Sequence, residues 1–158
     1  MKVQLLCFAL LSLLIVSCDS NKIFDSITDL ESGSWAQSNE LEFQFLITDA
    51  DVPYNIYYNV RYTDQYPYHN LYVNYTLTDT TGKEIEKALQ NMDLFNPKTG
   101  VPYGSGIGNN FDYTILALKD YKFPSPGTYI FKTQQYMRQE ELEGLAAFGV
   151  RVEKATKE

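Results

Sequence analysis

Reactive side chains are scarce in this 158-residue chain, which holds two cysteines (Cys7 and Cys18) and one histidine (His69). Zinc sites built on two or three histidines therefore cannot form within it. A serine nucleophile would need His69 beside it and an acid behind, and neither Ser105 nor Ser125 lies in a nucleophile-elbow pattern. Gly104-x-Gly106-x-Gly108 has the look of a phosphate-cradling loop. Such a loop must follow a strand and open a helix, yet the strand-like Phe111-Asp112-Tyr113-Thr114-Ile115 follows it here. The glycines are better read as a flexible loop in which they permit positive φ. Asp49 and Asp51, with Asp64 or Asp112, are of the type that makes a carboxylate pair for glycoside hydrolysis or a calcium loop. Their spacing matches neither, and acids in turns are ordinarily solvated turn formers. We assign no catalytic residue, no metal ligand and no cofactor, and expect a protein that is not an enzyme.

One thiol has a definite chemistry. Lys2 precedes an almost purely apolar stretch from Val3 to Val16, and Ser17-Cys18-Asp19 follows where apolar gives way to polar. The apolar stretch is short of the ~20 residues that cross a bilayer, so residues 1–17 read as a secretory signal. Ile15-Val16-Ser17-Cys18 resembles the bacterial lipobox. That resemblance implies diacylglycerol transfer to the Cys18 sulfur, cleavage before it and acylation of the new amino terminus. Removal of Cys7 with the signal and use of Cys18 for lipid leave the mature domain without a thiol, hence without an internal disulfide. Loss of Lys2 moves the formal net charge from −7 to −7 − 1 = −8. An acidic domain has no electrostatic case for nucleic acid and is repelled by anionic lipid, so membrane contact falls to the acyl chains.

Residues 18–34 are polar with scattered apolar positions and read as a tether running into an edge segment. From Leu41 the pattern has period two. Phe43, Phe45 and Ile47 alternate with Glu42, Gln44 and Leu46; Ile56, Tyr58, Val60 and Tyr62 alternate with Asn55, Tyr57, Asn59 and Arg61. Leu71, Val73, Tyr75 and Leu77 repeat the device against Tyr72, Asn74, Thr76 and Thr78. Turn signals at 49–53, 64–70 and 79–82 separate these runs. Further strands are expected near 84–94, 111–118, 127–136 and 145–154, with one helical turn at 138–144. Short strands at this spacing without alternating helices predict an all-β fold, an antiparallel two-sheet β-sandwich or jelly roll, over residues 35–158. Stability must come from its core, for which 13 Tyr and the Phe that remain once Phe8 leaves with the signal supply bulky material. Tyr54, Tyr58, Tyr62 and Tyr75 share faces with aliphatic residues and belong to that core, with hydroxyls at its rim. On the opposite faces, Tyr57, Arg61, Tyr72 and Asn74 form a candidate surface for a protein partner or a stacked sugar. Arg61 and Arg151, inside strands, should each pair with a carboxylate or carbonyl. In the 66–70 turn, Asn70 should cap local backbone groups.

The run from Trp35 to Arg151 resembles the GldH gliding-motility lipoprotein family of the Bacteroidota. The resemblance rests on Trp35, Phe43-x-Phe45-x-Ile47-x-Asp49, Tyr54-x-Ile56-x-x-Asn59-Val60-Arg61 and Tyr66-Pro67-Tyr68-x-Asn70-Leu71-Tyr72. It continues in the glycine loop, Gly127-Thr128-Tyr129-x-Phe131, Gln135-x-Met137-Arg138 and Leu142-x-Gly144-Leu145-x-x-Phe148-Gly149-Val150-Arg151. It implies an envelope lipoprotein associated with gliding and the linked type IX secretion machinery, acting through envelope-protein partners, with no catalytic residue to carry over. A lipid-tethered glycan-binding jelly roll is the alternative. Asp19-Ser20-Asn21-Lys22 lacks the acidic cluster that marks surface export in these bacteria, which points to the periplasmic side of the outer membrane. Asp25-Ser26-Ile27 and Asp79-Thr80-Thr81 resemble the acceptor pattern of their periplasmic O-glycosylation, making Ser26 and Thr80 candidate sites.

Overall fold

The computed structural model describes residues 21–156; Cys18 and the signal segment lie outside the described residues. Ten strands are found, β1 (Lys22–Asp29), β2 (Ser34–Ala36), β3 (Leu41–Ile47), β4 (Tyr54–Thr63), β5 (Asn70–Asp79), β6 (Glu84–Asp93), β7 (Asn110–Tyr121), β8 (Gly127–Gln135), β9 (Glu141–Glu143) and β10 (Leu145–Lys154). Their pairing is nested. β5 pairs with β6, β4 with β7, β3 with β8, β2 with β9 and β1 with β10, all antiparallel. The chain is thus one long five-rung hairpin, closed at Asp79–Glu84, that has been rolled up. Rolling adds two pairings, β10 with β4 and β5 with β8. The products are a first sheet in the order β1-β10-β4-β7, a second in the order β3-β8-β5-β6, and the small β2-β9 pair. This double-sheet arrangement is a jelly roll, as the spacing of the strands led us to expect.

Period-two alternation is what holds the sheets face to face. Along β3, residues 41, 43, 45 and 47 are buried and those between them exposed; along β4, residues 54 to 62 alternate in the same sense. Phe131 lies between Tyr58 and Tyr75, its ring stacked on Tyr75 at 5.0 Å and 6.2 Å from Tyr58, so aromatic contacts cross from one sheet to the other. Trp35, fully buried, packs on Phe148 at 4.7 Å and donates its indole N–H to the Asn39 carbonyl at 2.8 Å.

Three expectations need correction. Part of the segment expected as a tether, residues 22–29, is β1, an edge strand hydrogen-bonded to β10, because Phe24 finds Phe45 at 5.6 Å. The expected helical turn at 138–144 contains β9 instead. Burying Leu142 and pairing with β2 outweigh the helical preference of its glutamates. Asn70 does not cap its own turn: its amide crosses to the Asn91 side chain at 2.6 Å.

Strand direction defines two ends. One end gathers the start of β1, the end of β10, and the turns 48–53, 79–83 and 122–126. The opposite end carries residues 30–40, 64–69, the glycine loop and the 136–144 segment.

Candidate functional site

The candidate residues Tyr57, Arg61, Tyr72 and Asn74 do not form one surface. The first two are on β4 and the last two on β5, strands of different sheets, so they occupy opposite outer faces of the sandwich. The reason is the roll itself: consecutive strands β4 and β5 are not hydrogen-bonded neighbours.

On the first sheet the polar groups satisfy one another. The Arg61 Nε donates to Asp112 at 2.8 Å, with both side chains substantially exposed. Arg151 pairs with Glu153 and places its guanidinium 5.3 Å from the centre of the Tyr57 ring. Asn59 accepts from Thr114 at 2.9 Å and donates to Asp25 at 3.0 Å, reaching across β10 at the one position, Gly149, that has no side chain. Lys22 also binds Asp25, at 3.0 Å. This face is a lattice of internal pairs, and Tyr57 is already capped by a cation.

The buried tyrosines end on acceptors at the core rim, as their alternation with aliphatic residues led us to expect. Tyr58 donates to Gln90 at 2.6 Å, and Gln90 donates onward to the Ala117 carbonyl at 2.8 Å, stitching β6 to β7. Tyr75 donates to Glu86 at 2.5 Å and Tyr54 to the Asp49 carbonyl at 2.7 Å. Tyr62 donates to the Leu94 carbonyl at 2.7 Å and accepts from the Gly104 N–H at 2.9 Å, fastening the glycine loop. Burial pushes the Tyr58, Tyr66 and Tyr75 hydroxyls well above their ordinary value, and the Tyr121 hydroxyl, beside Glu86, up to about 12.

That loop does not use its glycines mainly for positive φ. Gly104 and Gly106 have ordinary backbone angles, but a Cβ on Gly106 would sit 1.8 Å from the Asn110 carbonyl oxygen. Close backbone approach is the requirement, and the Ser105–Asp112 pair of backbone bonds closes it. The aspartates are dispersed: Asp49 bonds the Asp51 N–H, and Asp112 serves Arg61. Among the described residues, no three of His, Cys, Asp and Glu converge. His69 lies 4.0 Å from Asp93.

The second sheet is different. Tyr72, Leu89, Tyr136, Met137 and Arg138 line a groove of about 300 Å³ on its outer face. Leu89 faces the register partner Asn74, diagonal to Tyr72, and Tyr136 docks beside them by donating its N–H to the Tyr72 carbonyl at 2.8 Å. The Tyr72 N–H in turn meets the Met137 sulfur at 3.2 Å. Gln135, fully buried, holds the segment: its carbonyl accepts from the Met137 N–H at 2.9 Å and its amide donates to the Gln139 carbonyl at 2.7 Å. The sequence marks Tyr72 as a candidate surface residue and Met137 and Arg138 only as part of the family resemblance; Leu89 and Tyr136 it does not mark. Their signal was an apolar residue at an outward position between Lys87 and Asn91, and two apolar residues just beyond the end of a strand.

Of the two candidate acceptor hydroxyls, Thr80 is exposed at the β5–β6 turn, whose shape is set by Asp79 accepting from Thr81 and Lys83. Ser26 is part-buried within the β1–β10 ladder.

Comparisons with known proteins add identity to geometry. The chain is 27% identical over 150 residues to "Gliding motility lipoprotein GldH homolog" of Christiangramia forsetii, covering 90% of each. It is 26% identical over 155 residues to "Gliding motility lipoprotein GldH" of Flavobacterium johnsoniae, covering 91% of this chain and 92% of that one. Among solved structures it is similar to two chains of infectious bursal disease virus. A structure of the Gx strain matches with TM-score 0.33 and 13% identity, covering 84% of this chain and 29% of that one. The VP2 subviral particle matches with TM-score 0.35 and 15% identity, covering 88% and 36%. The chain thus spans about a third of those viral chains, and nothing about its function is drawn from them. The family described as GldH lipoprotein matches residues 22–152, from the first residue of β1 almost to the end of β10. On that match this chain belongs to the GldH lipoprotein family.

Proposed function

We propose that this protein is a non-enzymatic lipoprotein of the cell envelope, acylated at Cys18 and held at the periplasmic side of the outer membrane. There it serves as an accessory part of the gliding-motility and type IX secretion machinery through contacts with other envelope proteins. The observation that carries this reading is the family match across the whole rolled hairpin, joined to relatives whose names specify gliding motility. The site geometry is compatible with it: the polar clusters of the first sheet are spent on internal bonding, and an apolar groove on the second sheet is open to solvent. The glycan alternative loses support on the first sheet, where Arg151 occupies the Tyr57 ring face.

The anchor and the fold together orient the domain. Cys18 precedes Lys22 by 22 − 18 = 4 residues, a reach of at most ~14 Å. The end of the sandwich that holds the start of β1 therefore rests near the bilayer. Mass spectrometry of the amino-terminal peptide should show acyl chains on Cys18, and Cys18→Ala should release the protein from membranes and abolish complementation of a deletion strain. Full complementation by unacylated protein would refute the anchored role. Wild-type protein purified from native membranes should bring motility or secretion components with it. Saturable binding in a glycan titration, with no such components, would favour the alternative.

A further inference from the structure

We propose that the groove lined by Tyr72, Leu89, Tyr136, Met137 and Arg138 is the docking site for a peptide segment of a partner protein. The segment places one apolar side chain among Tyr72, Leu89 and Tyr136 and a carboxylate against Arg138. This rests on the reading above that the protein works through protein contacts, and it specifies where and with what chemistry.

Four observations converge. First, Tyr72, Leu89 and Tyr136 are 38%, 52% and 53% exposed and adjoin one another, on a face that also carries Lys132, Glu42 and Lys87 and, at its other end, the exposed Leu46. A contiguous apolar patch rimmed by polar groups marks an interaction site more often than scattered apolar residues do. Second, the groove is built: buried Gln135 fixes the 136–138 segment from beneath, and Gln139 is tied to the Tyr68 hydroxyl at 2.9 Å. Third, Arg138 is the one arginine of three that makes no ion pair among the described residues, in a chain of net charge −7. It is also held at φ 59, in the left-handed region. The other non-glycine residues there, Ser32 and Asp120, are short polar types; a long arginine in this conformation is strained. An unpaired guanidinium presented at the rim of an apolar groove complements a carboxylate next to an apolar side chain.

Fourth, position selects a protein over the lipid surface. The groove lies toward the end of the sandwich opposite the start of β1. The course of β5 from Tyr72 to Asp79 alone separates the two ends by roughly 20 Å at ~3.3 Å per residue, beyond the reach of the linker after Cys18. The anchoring bilayer therefore lies at the wrong end, while a neighbour projecting into the same compartment meets the groove directly.

The test uses the full acylated chain in phosphatidylcholine vesicles and labelled short peptides centred on Glu-Phe or Asp-Leu, each beside its Gln-Phe or Asn-Leu counterpart. The carboxylate peptides should bind saturably and about tenfold tighter than their amides. Arg138→Gln should erase that preference and Arg138→Lys keep part of it. Leu89→Asn, on the solvent face, should weaken both peptide classes alike. Arg138→Gly relieves the backbone strain, so it should melt no lower than wild type and still lose the carboxylate preference. Equal binding of acid and amide peptides, retention by Arg138→Gln, or peptide binding only on anionic vesicles would overturn the proposal. So would self-association of the protein that groove variants abolish. If groove variants still co-purify with wild-type partners and support gliding, this site assignment falls while the protein-contact role stands; if wild-type protein recovers no partner, the role itself falls.

Discussion

At the residue scale, the most informative side chains are those whose environment contradicts their type. Thr133 is fully buried and its hydroxyl has no hydrogen-bond partner among the described residues. A buried hydroxyl without a partner carries an uncompensated desolvation cost. Thr133→Val should therefore raise stability by about 1 kcal/mol in urea unfolding, with an unchanged m-value. Arg61 is the reverse case. It pairs with a carboxylate as its place inside a strand led us to expect, yet its pair with Asp112 is exposed on both sides, and exposed pairs contribute ~0–1 kcal/mol. Arg61→Ala should lower stability by no more than that, and by less still at high salt. Thr80, not Ser26, is the hydroxyl we expect to carry any O-linked sugar, since only Thr80 projects from a turn. Intact-mass and peptide mapping should place added mass at Thr80 and remove it in Thr80→Ala.

At the element scale, the glycine loop and the β2–β9 pair show why local spacing misleads. Glycines two residues apart suggested freedom of φ, but Gly106 is needed for room. Its missing Cβ would collide with a backbone oxygen that cannot give way. Gly106→Ala should destabilise by at least ~2 kcal/mol, whereas Gly108→Ala, at φ +66 with open space around it, should cost about 1 kcal/mol. Chemical denaturation of the two variants side by side separates room from conformation as the reason for each glycine. The 138–144 segment was read as a helical turn because its acids cluster. What governs it instead is a distant partner: Leu142 pairs with Trp35 in register, and both are buried. Such pairings, between residues far apart in the chain, leave no periodic trace in a segment of three residues.

At the whole-molecule scale, the core includes tyrosines whose burial favours the neutral hydroxyl. Burial raises Tyr58, Tyr66, Tyr75 and Tyr121 above their ordinary value near 10, the last to about 12. A folded-state pKa above the unfolded one stabilises fully below pH ~10 and is lost as pH rises toward the folded value. Melting temperature should stay level through neutral pH and fall steadily between about pH 10 and 12, with the tyrosinate absorbance of the buried residues appearing together with unfolding. A protein that stayed folded while all 13 tyrosines ionised would contradict this. The amino-acid sequence by itself determined the long strands from β3 to β8 and β10, the inward faces of β3, β4 and β5, and the core positions of Tyr54, Tyr58, Tyr62 and Tyr75, because period-two alternation is a local consequence of burying one face of a strand; β1, β2 and β9 it did not show. It also carried the family resemblance, which the family match over residues 22–152 bears out. Which faces lie together was decided only by the tertiary structure. Rolling a five-rung hairpin puts neighbouring strands β4 and β5 into different sheets, splitting Tyr57 and Arg61 from Tyr72 and Asn74. The same roll brings Leu89 of β6 beside Tyr136 and Arg138, just beyond the end of β8, although no local pattern links them. Register between strands distant in sequence is set by the closure of the whole core, and that closure made the groove.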